Sequence, residues 1–127
     1  MRPQSSRPFV VFAVTLALGL AGCASGGGNG TRPEGSTANR IVRAELAGID
    51  QIDALQAVNR LRPTWVSMRG GSEPVLYVDG VRHANFRDLS TMQTTEIEQI
   101  EYMSASDAST RYGTGHVGGA ILVTTRR

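Results

Sequence analysis

The second half of the chain alternates apolar and polar positions at spacings typical of short strands. Residues 75–78 form a continuous apolar run, which predicts a strand that is covered on both faces. The Asp-Gly pair at residues 79–80 predicts a tight hairpin turn, followed by a return strand over residues 81–84. Alternation predicts two further strands, near residues 99–103 and 121–123.

Helical periodicity is confined to two short segments. Apolar residues recur every three positions over residues 52–61, which predicts an amphipathic helix that is capped by Asp50 and ended by Pro63. A second, shorter helix is predicted over residues 104–112, because it begins with a capping serine and is followed by Gly113, a residue suited to a left-handed stop.

The remaining segments are predicted to be short strands and connections. Alternation over residues 42–46 predicts a strand, residues 65–68 are predicted to be extended, and residues 88–95 form a polar connection with a short turn or helix. Residues 113–119 are a glycine-rich loop. Together these elements predict a small α+β domain with a mixed sheet of about four strands and two short helices.

The N-terminus has the organisation of an export signal. Arg2 and Arg7 precede an apolar run over residues 9–21, which is too short for a membrane-spanning helix of roughly 20 residues but suits a secretory signal. Residues 20–23 read LAGC and resemble a lipobox, whose cysteine carries the lipid. The alternative is a buried helix with an isolated cysteine. The sequence therefore predicts a signal peptide over residues 1–22 and a lipoprotein anchored through Cys23.

Residues 23–39 are predicted to be the lipidated cysteine and a flexible Gly/Ser-rich tether, and residues 40–127 the folded domain. Cys23 is the chain's one cysteine, so an internal disulfide and a cysteine-based metal site are both excluded. The full chain has 13 basic and 11 acidic side chains. Removal of Arg2 and Arg7 with the signal peptide leaves 11 basic side chains, so the charges of the mature protein balance. We therefore expect the membrane as a partner, through the lipid, and no nucleic acid.

Four blocks in the second half resemble a known family, in its order and at its spacing. Residues 74–81 (PVLYVDGV) resemble the signature PLYVVDGVP of the TonB-dependent receptor plug domain. Residues 97–103 (IEQIEYM) are similar to its IESIEVL block, and residues 107–113 (DASTRYG) to its turn ending in Tyr-Gly. Residues 119–126 (GAILVTTR) resemble its GVILITTK block. The resemblance covers residues 68–127 well and residues 48–67 loosely.

The resemblance implies a plug fold and a location at the outer membrane. In full receptors the plug lies inside a barrel of the same chain, whereas this sequence ends at Arg127, where the barrel is expected to begin. The tether also contains no recognisable TonB box. We therefore expect a stand-alone plug-like lipoprotein that faces the periplasm, without energised uptake of its own.

Several residues could carry chemistry, and each also has a structural interpretation. His83 and His116 could share a metal, although a metal site usually needs three or four ligands and exposed positions explain both histidines. Glu96, Glu98 and Glu101 could be catalytic carboxylates, but strand alternation turns them toward solvent.

The glycines of residues 113–119 follow a helix and open a strand, which is the reverse of a dinucleotide-binding loop. Trp65 is either a core aromatic or part of an exposed binding patch. We find no catalytic constellation, so we expect a protein that is not an enzyme and has no cofactor or metal.

Three functions remain from these observations. The leading one is a non-enzymatic interaction module that docks on an outer-membrane barrel or a periplasmic protein. The alternatives are an accessory ligand-binding protein for a TonB-dependent uptake system and a lipid-anchored hydrolase. Candidate binding residues lie in the loops around residues 82–88 and 113–117, and they are Arg82, His83, Phe86, Arg87 and His116. Phe86 is either an exposed anchor or a residue that closes the edge of the core.

Overall fold

A five-stranded mixed sheet forms the centre of the domain. The structure, a computed structural model, describes residues 32–67 and 71–127. In sequence order the strands are β1 (Arg40–Val42), β2 (Val75–Val78), β3 (Val81–Arg82), β4 (Ile97–Met103) and β5 (Ala120–Thr125). Their spatial order is β1-β4-β5-β2-β3, in which β2 and β5 run parallel and all other neighbours antiparallel.

Short helices connect and cover the strands. They are α1 (Arg43–Leu46), α2 (Ala54–Leu61), α3 (Pro63–Val66) and α4 (Ala105–Tyr112), with 3₁₀ turns at Ala47–Ile49, Phe86–Thr91 and Thr94–Glu96. The α+β class with a mixed sheet is confirmed. The sheet has five strands rather than about four, and the domain has more helical turns than the two predicted helices. Among the helices of the described residues, none combines the length and the apolar character that crossing a membrane requires.

The first strand is shorter than the alternation suggested. A strand was predicted over residues 42–46, but β1 ends at Val42 and α1 begins at Arg43. The turn of helix brings Leu46 into the same core as Ile41, and both are fully buried. It also lets Arg43 donate to the carbonyl of Thr94, at 2.7 Å.

The helix predicted over residues 52–61 begins later than expected. Asp53, and not Asp50, caps α2 by accepting a hydrogen bond from the backbone N–H of Gln56, at 2.8 Å. Asp50 instead forms an ion pair with Arg43, at 2.9 Å. The three fully buried residues of α2 are Ala54, Ala57 and Val58.

Pro63 ends α2 as predicted, but the chain does not then become extended. Pro63 occupies the first turn of α3, a position where its missing N–H costs nothing. The extended segment predicted over residues 65–68 is therefore wrong for Trp65 and Val66, whereas Ser67, which follows the helix, is extended. Trp65 is 3% exposed and its indole donates to the carbonyl of Ala38, at 3.1 Å. The core interpretation of this tryptophan is confirmed.

Strand β2 is covered on both faces, as its continuous apolar run predicted. Leu76 joins the larger core, which packs against α2 and α3, whereas Tyr77 joins a smaller cluster with Ala108 of α4. The predicted hairpin turn is also present, with φ of 48° at Asp79 and 82° at Gly80. The return strand β3 is shorter than predicted, since it ends at Arg82.

The capping predictions for α4 are confirmed. Ser104 accepts a hydrogen bond from the backbone N–H of Asp107, at 3.2 Å. Gly113 follows the helix with φ of 91° and ψ of −171°. Its φ is positive as expected, but its ψ is extended rather than left-handed helical, a combination that only glycine adopts readily.

The predicted signal peptide and Cys23 lie outside the described residues. The end of the Gly/Ser-rich segment is described, and it contacts the domain. Thr37 exchanges two backbone hydrogen bonds with Arg40, and Asn39 accepts one from the N–H of Tyr102 at 2.8 Å.

Candidate functional site

Both loops with predicted binding residues lie at the same end of the sheet. Strands β2 and β5 run parallel, so the segment after β3 and the loop before β5 meet at the amino ends of these two strands. Glu73 lies between the two loops. A Cβ atom on Gly118 would lie 2.5 Å from its carbonyl oxygen, and Glu73 lines a cleft together with residues 82–86. The predicted pairing of the two loops on one surface therefore agrees with the topology.

Four of the five predicted binding residues follow each other closely along this end, and we call them the hairpin surface: Arg82, His83, Phe86 and Arg87. Both arginines are exposed. His83 is partly exposed, and its Nδ1 lies 3.3 Å from a carboxylate oxygen of Asp88. This contact holds the histidine against the 3₁₀ turn that starts at Phe86.

Phe86 combines the two roles that the sequence left open. It is half-buried and packs against the larger hydrophobic core, while its outer side lines an open cleft of about 510 Å³. The cleft lies where the chain diverges from β2, with Glu73–Leu76 on one wall and Arg82–Phe86 on the other. Because part of its ring belongs to the core, replacing Phe86 would change stability as well as the surface.

His116 is not a surface residue, so the expectation of an exposed position is wrong for it. Its side chain is 1% exposed. The ring lies 2.9 Å from the hydroxyl of Tyr77 through Nε2, and 2.8 Å from the carbonyl of Gly113 through Nδ1. A carbonyl oxygen can only accept, so Nδ1 carries the proton and Nε2 accepts from the tyrosine. The rings of Tyr77, Tyr112 and His116 form one aromatic cluster.

In this position His116 cannot contact a partner directly. The exposed large apolar residue of its loop is Val117, which is 63% exposed. No group of three or more His, Cys, Asp or Glu side chains lies close enough to hold a metal ion among residues 32–67 and 71–127. Of the acidic residues considered as catalytic, Glu96 and Glu98 are exposed and Glu101 pairs with Arg40, at 3.5 Å.

Sequence reasoning missed a buried ion pair. Arg62 and Glu45 are 8% and 9% exposed, and Nη2 of the arginine lies 3.0 Å from the carboxylate. Arg62 also donates to the hydroxyl of Ser36 at 3.1 Å and to the carbonyl of Thr37 at 3.0 Å. The pair therefore fastens the segment before β1 to the domain. Nothing in the sequence pattern distinguishes Arg62 from an exposed arginine at the end of a helix.

Two glycines near the hairpin surface are required by close backbone approach. A Cβ on Gly118 would meet the carbonyl oxygens of Ser72 and Glu73, both at 2.5 Å. A Cβ on Gly119 would meet the carbonyl of Met103 at 2.5 Å, and its φ of 83° is also unfavourable for other residues. The pair therefore lies where the loop closely approaches the backbone of residues 72–73 and of β4.

Asp79 has a second task besides the hairpin turn. Its carboxylate accepts hydrogen bonds from the hydroxyl of Thr125 at 2.6 Å and from the N–H of the same residue at 2.9 Å. These bonds, the hydroxyl first, lower the pKa of Asp79 below its ordinary value, because they stabilise the charged form. The turn is thereby tied to the end of β5.

Comparison with protein-family models gives one match, the TonB-dependent Receptor Plug Domain, over residues 31–120. The match covers well over half of the chain. The chain belongs to this family. No curated protein and no solved structure matched it significantly.

Family membership confirms the resemblance, and three of its four sequence blocks lie wholly within the matched residues 31–120. In this plug domain the blocks correspond to β2 with its hairpin turn, β4, α4 and β5. They supply the parallel pair and the turn, which are features of the fold rather than of catalysis. Membership also links the chain to TonB-dependent receptor systems of the outer membrane.

Proposed function

We propose that this plug domain is a lipid-anchored, non-enzymatic interaction module that docks on a protein partner of a TonB-dependent receptor system. The partner is an outer-membrane barrel or a periplasmic protein. The observation that carries the proposal is the hairpin surface: two exposed arginines and a partly exposed histidine lie beside an open cleft and the outer side of Phe86. Aromatic residues and arginines are enriched among the residues that dominate binding at protein interfaces.

The buried polar side chains are engaged in contacts within the domain, which supports a role without catalysis. The buried Arg62–Glu45 pair holds the segment before β1, and His116 has both ring nitrogens engaged by Tyr77 and Gly113. These groups have structural tasks. The side chains available for contact with another molecule lie instead on the surface.

The docking test changes charge on the hairpin surface and leaves the core intact. In the double variant R82E/R87E, recovery of the cross-linked partner from native membranes should fall strongly, because both substitutions reverse the charge that faces the partner. The melting midpoint should stay near that of the wild type, since both side chains are exposed.

The matched control is R60E, an exposed arginine of α2 that lines a different cleft with residues 47–52. It should leave recovery of the same partner, identified by mass spectrometry, unchanged. Equal recovery from R82E/R87E and R60E would place the interface elsewhere.

Anchoring is tested separately through Cys23. The variant C23S should lose membrane partitioning, because a serine cannot carry the thioether-linked lipid, and stable anchoring needs more than one lipid chain. Unchanged partitioning of C23S in membrane fractionation would show that lipid does not hold the protein there.

A second candidate function is favoured by the cleft itself. Its volume of about 510 Å³ falls in the range of small-molecule sites, roughly 300–1,000 Å³. A cleft beside Asp79 has the same volume, so this alternative rests on the lining by Arg82, His83 and Phe86. An accessory ligand-binding role predicts that a substrate of the same uptake system raises the melting midpoint of the domain, whereas the docking role predicts no such shift.

A further inference from the structure

Strand β3 is an open edge of the sheet. Among residues 32–67 and 71–127, it is the last strand in the order β1-β4-β5-β2-β3 and pairs only with β2. The N–H of His83 donates to the carbonyl of Leu76 at 2.9 Å. Since backbone groups alternate in direction along an antiparallel pair, the N–H and C=O of Arg82 face away from β2. Within the described part of the chain, Arg82 therefore presents an unpaired donor and acceptor at the edge.

The opposite edge of the sheet is closed. In β1 the outward backbone groups of Arg40 are both bonded to Thr37, with N–O distances of 3.1 and 3.2 Å. Immediately after β1 the chain turns into α1. An added strand would thus find its template at β3.

The charge at β3 distinguishes between possible occupants. Among the described residues no carboxylate lies within ion-pair distance of Arg82, and the nearby Asp88 is engaged by His83. A second copy that paired antiparallel about Arg82 would place two arginines opposite each other, and like charges in that position are destabilising. An acidic residue opposite Arg82 would instead complete a cross-strand pair.

Val81, the residue before Arg82, favours an apolar residue at the facing position of an added strand. Val81 is 65% exposed, and its side chain points to the other face of the sheet from that of Arg82. A strand with an acidic residue opposite Arg82 would place its next residue opposite Val81, where an apolar side chain would cover it. The edge therefore fits a strand that alternates acidic and apolar residues.

We propose that β3 binds an acidic, extended segment of a protein partner by strand addition along its outer edge. The proposal rests on the docking function above and names the mode of binding at the hairpin surface. Backbone hydrogen bonds to Arg82 would supply affinity, and the cross-strand pairs would supply specificity.

The test uses the full chain and four labelled nine-residue peptides in fluorescence anisotropy. One peptide alternates Glu and Val, and the second alternates Lys and Val. The third has the composition of the first with its glutamates in one block. The fourth is the first with N-methyl groups on alternate residues, which removes the donors facing β3. We expect the first peptide to bind best, and the N-methylated and block peptides to lose most of the binding.

Variants of Arg82 distinguish the contribution of its charge to peptide binding from that of its backbone N–H. R82A should weaken the Glu/Val peptide by up to about fivefold, the range of one exposed ion pair. R82E should reverse the preference toward the Lys/Val peptide, and R60E should change neither. R82P, which also removes the outward N–H, should bind more weakly than R82A at an unchanged melting midpoint. If R82P unfolds the hairpin, the N-methylated peptide still tests whether backbone hydrogen bonds contribute to binding, because it is measured with the wild-type protein.

Two results would overturn strand addition. One is equal binding of the alternating, block and N-methylated acidic peptides, which would mean charge attraction alone. The other is equal binding of the Glu/Val and Lys/Val peptides. If either occurs while R82E/R87E still loses its cross-linked partner, the docking function stands and only the strand-addition mode fails.

Discussion

The buried ion pair between Arg62 and Glu45 is the contact whose loss we expect to destabilise the domain most. Both side chains are more than nine-tenths buried, at 8% and 9% exposure. Removing one partner of a buried pair typically costs about 3–5 kcal/mol, because the other charge stays out of water without a counter-charge. Each of R62M and E45M should therefore lower the free energy of unfolding by about 3 kcal/mol. R62M should be the worse of the two, since Ser36 is bonded to both members of the pair but Arg62 alone also donates to the carbonyl of Thr37.

The double variant R62M/E45M tests the reasoning more sharply than either single change. Replacing both charges by apolar side chains of similar size removes the desolvation cost of the pair, which is often neutral or stabilising. The buried Nε of Arg62 has no hydrogen-bond partner among the residues that the structure describes, so part of that cost is not compensated in the wild type. We expect the double variant to be more stable than either single variant.

Urea unfolding followed by the fluorescence of Trp65 measures these differences directly. Trp65 is the chain's one tryptophan, and its ring centroid lies 6.0 Å from the guanidinium carbon of Arg62. An unchanged dependence of the free energy on urea would show that only stability has changed. The reasoning is refuted if each single variant costs less than about 1 kcal/mol, the value of an exposed pair. Strict additivity in the double variant would also refute it, because it would mean that the two charges do not interact.

Three further predictions concern the glycine loop, the aromatic cluster and the hairpin turn. G119A should destabilise the domain much more than G115A in thermal melts, because both positions have positive φ but only the first has backbone atoms in the way of a Cβ; similar midpoints would contradict the close approach. Y77F should cost about 1–3 kcal/mol in urea unfolding, because Nε2 of buried His116 loses its donor, whereas no loss would mean that this hydrogen bond is absent. Because the pKa of Asp79 is lowered in the folded state, its contribution is complete above the ordinary pKa and is lost as the pH falls below about 4; D79N should show a weaker loss of stability in that range, and an identical pH profile would exclude this role.

Local patterns in the sequence predicted the elements whose cause is local. The Asp79-Gly80 turn follows from two adjacent residues that tolerate positive φ. The cap of α4 follows from Ser104, placed three residues before Asp107, whose backbone N–H donates to the serine hydroxyl. The continuous apolar run of β2 predicted burial on both faces. The four family blocks lie in this same half, which is why the family could be recognised before the fold was described.

Elements whose form depends on distant residues were not predictable in this way. The alternation at residues 42–46 favours a strand, but the need to bury Leu46 beside Ile41 and to bring Arg43 to Thr94 ends that strand after three residues. Similarly, Asp53 and not Asp50 caps α2, since Arg43 engages the earlier carboxylate. The first outcome depends on Thr94, 51 positions along the chain from Arg43, and the second on an ion pair between residues seven positions apart, which the pattern of apolar positions does not report.

The candidate site divides along the same line. From the sequence by itself we identified the family and the polar segment after the hairpin as the candidate surface. The export signal was also predicted from the sequence alone. Only the tertiary structure decided that His116 is buried beneath Tyr77, that Phe86 belongs partly to the core, and that the edge at β3 is open. The physical reason is that a side chain's exposure and charge partner depend on which segments the sheet brings together, and a pattern of neighbouring residues does not contain that information.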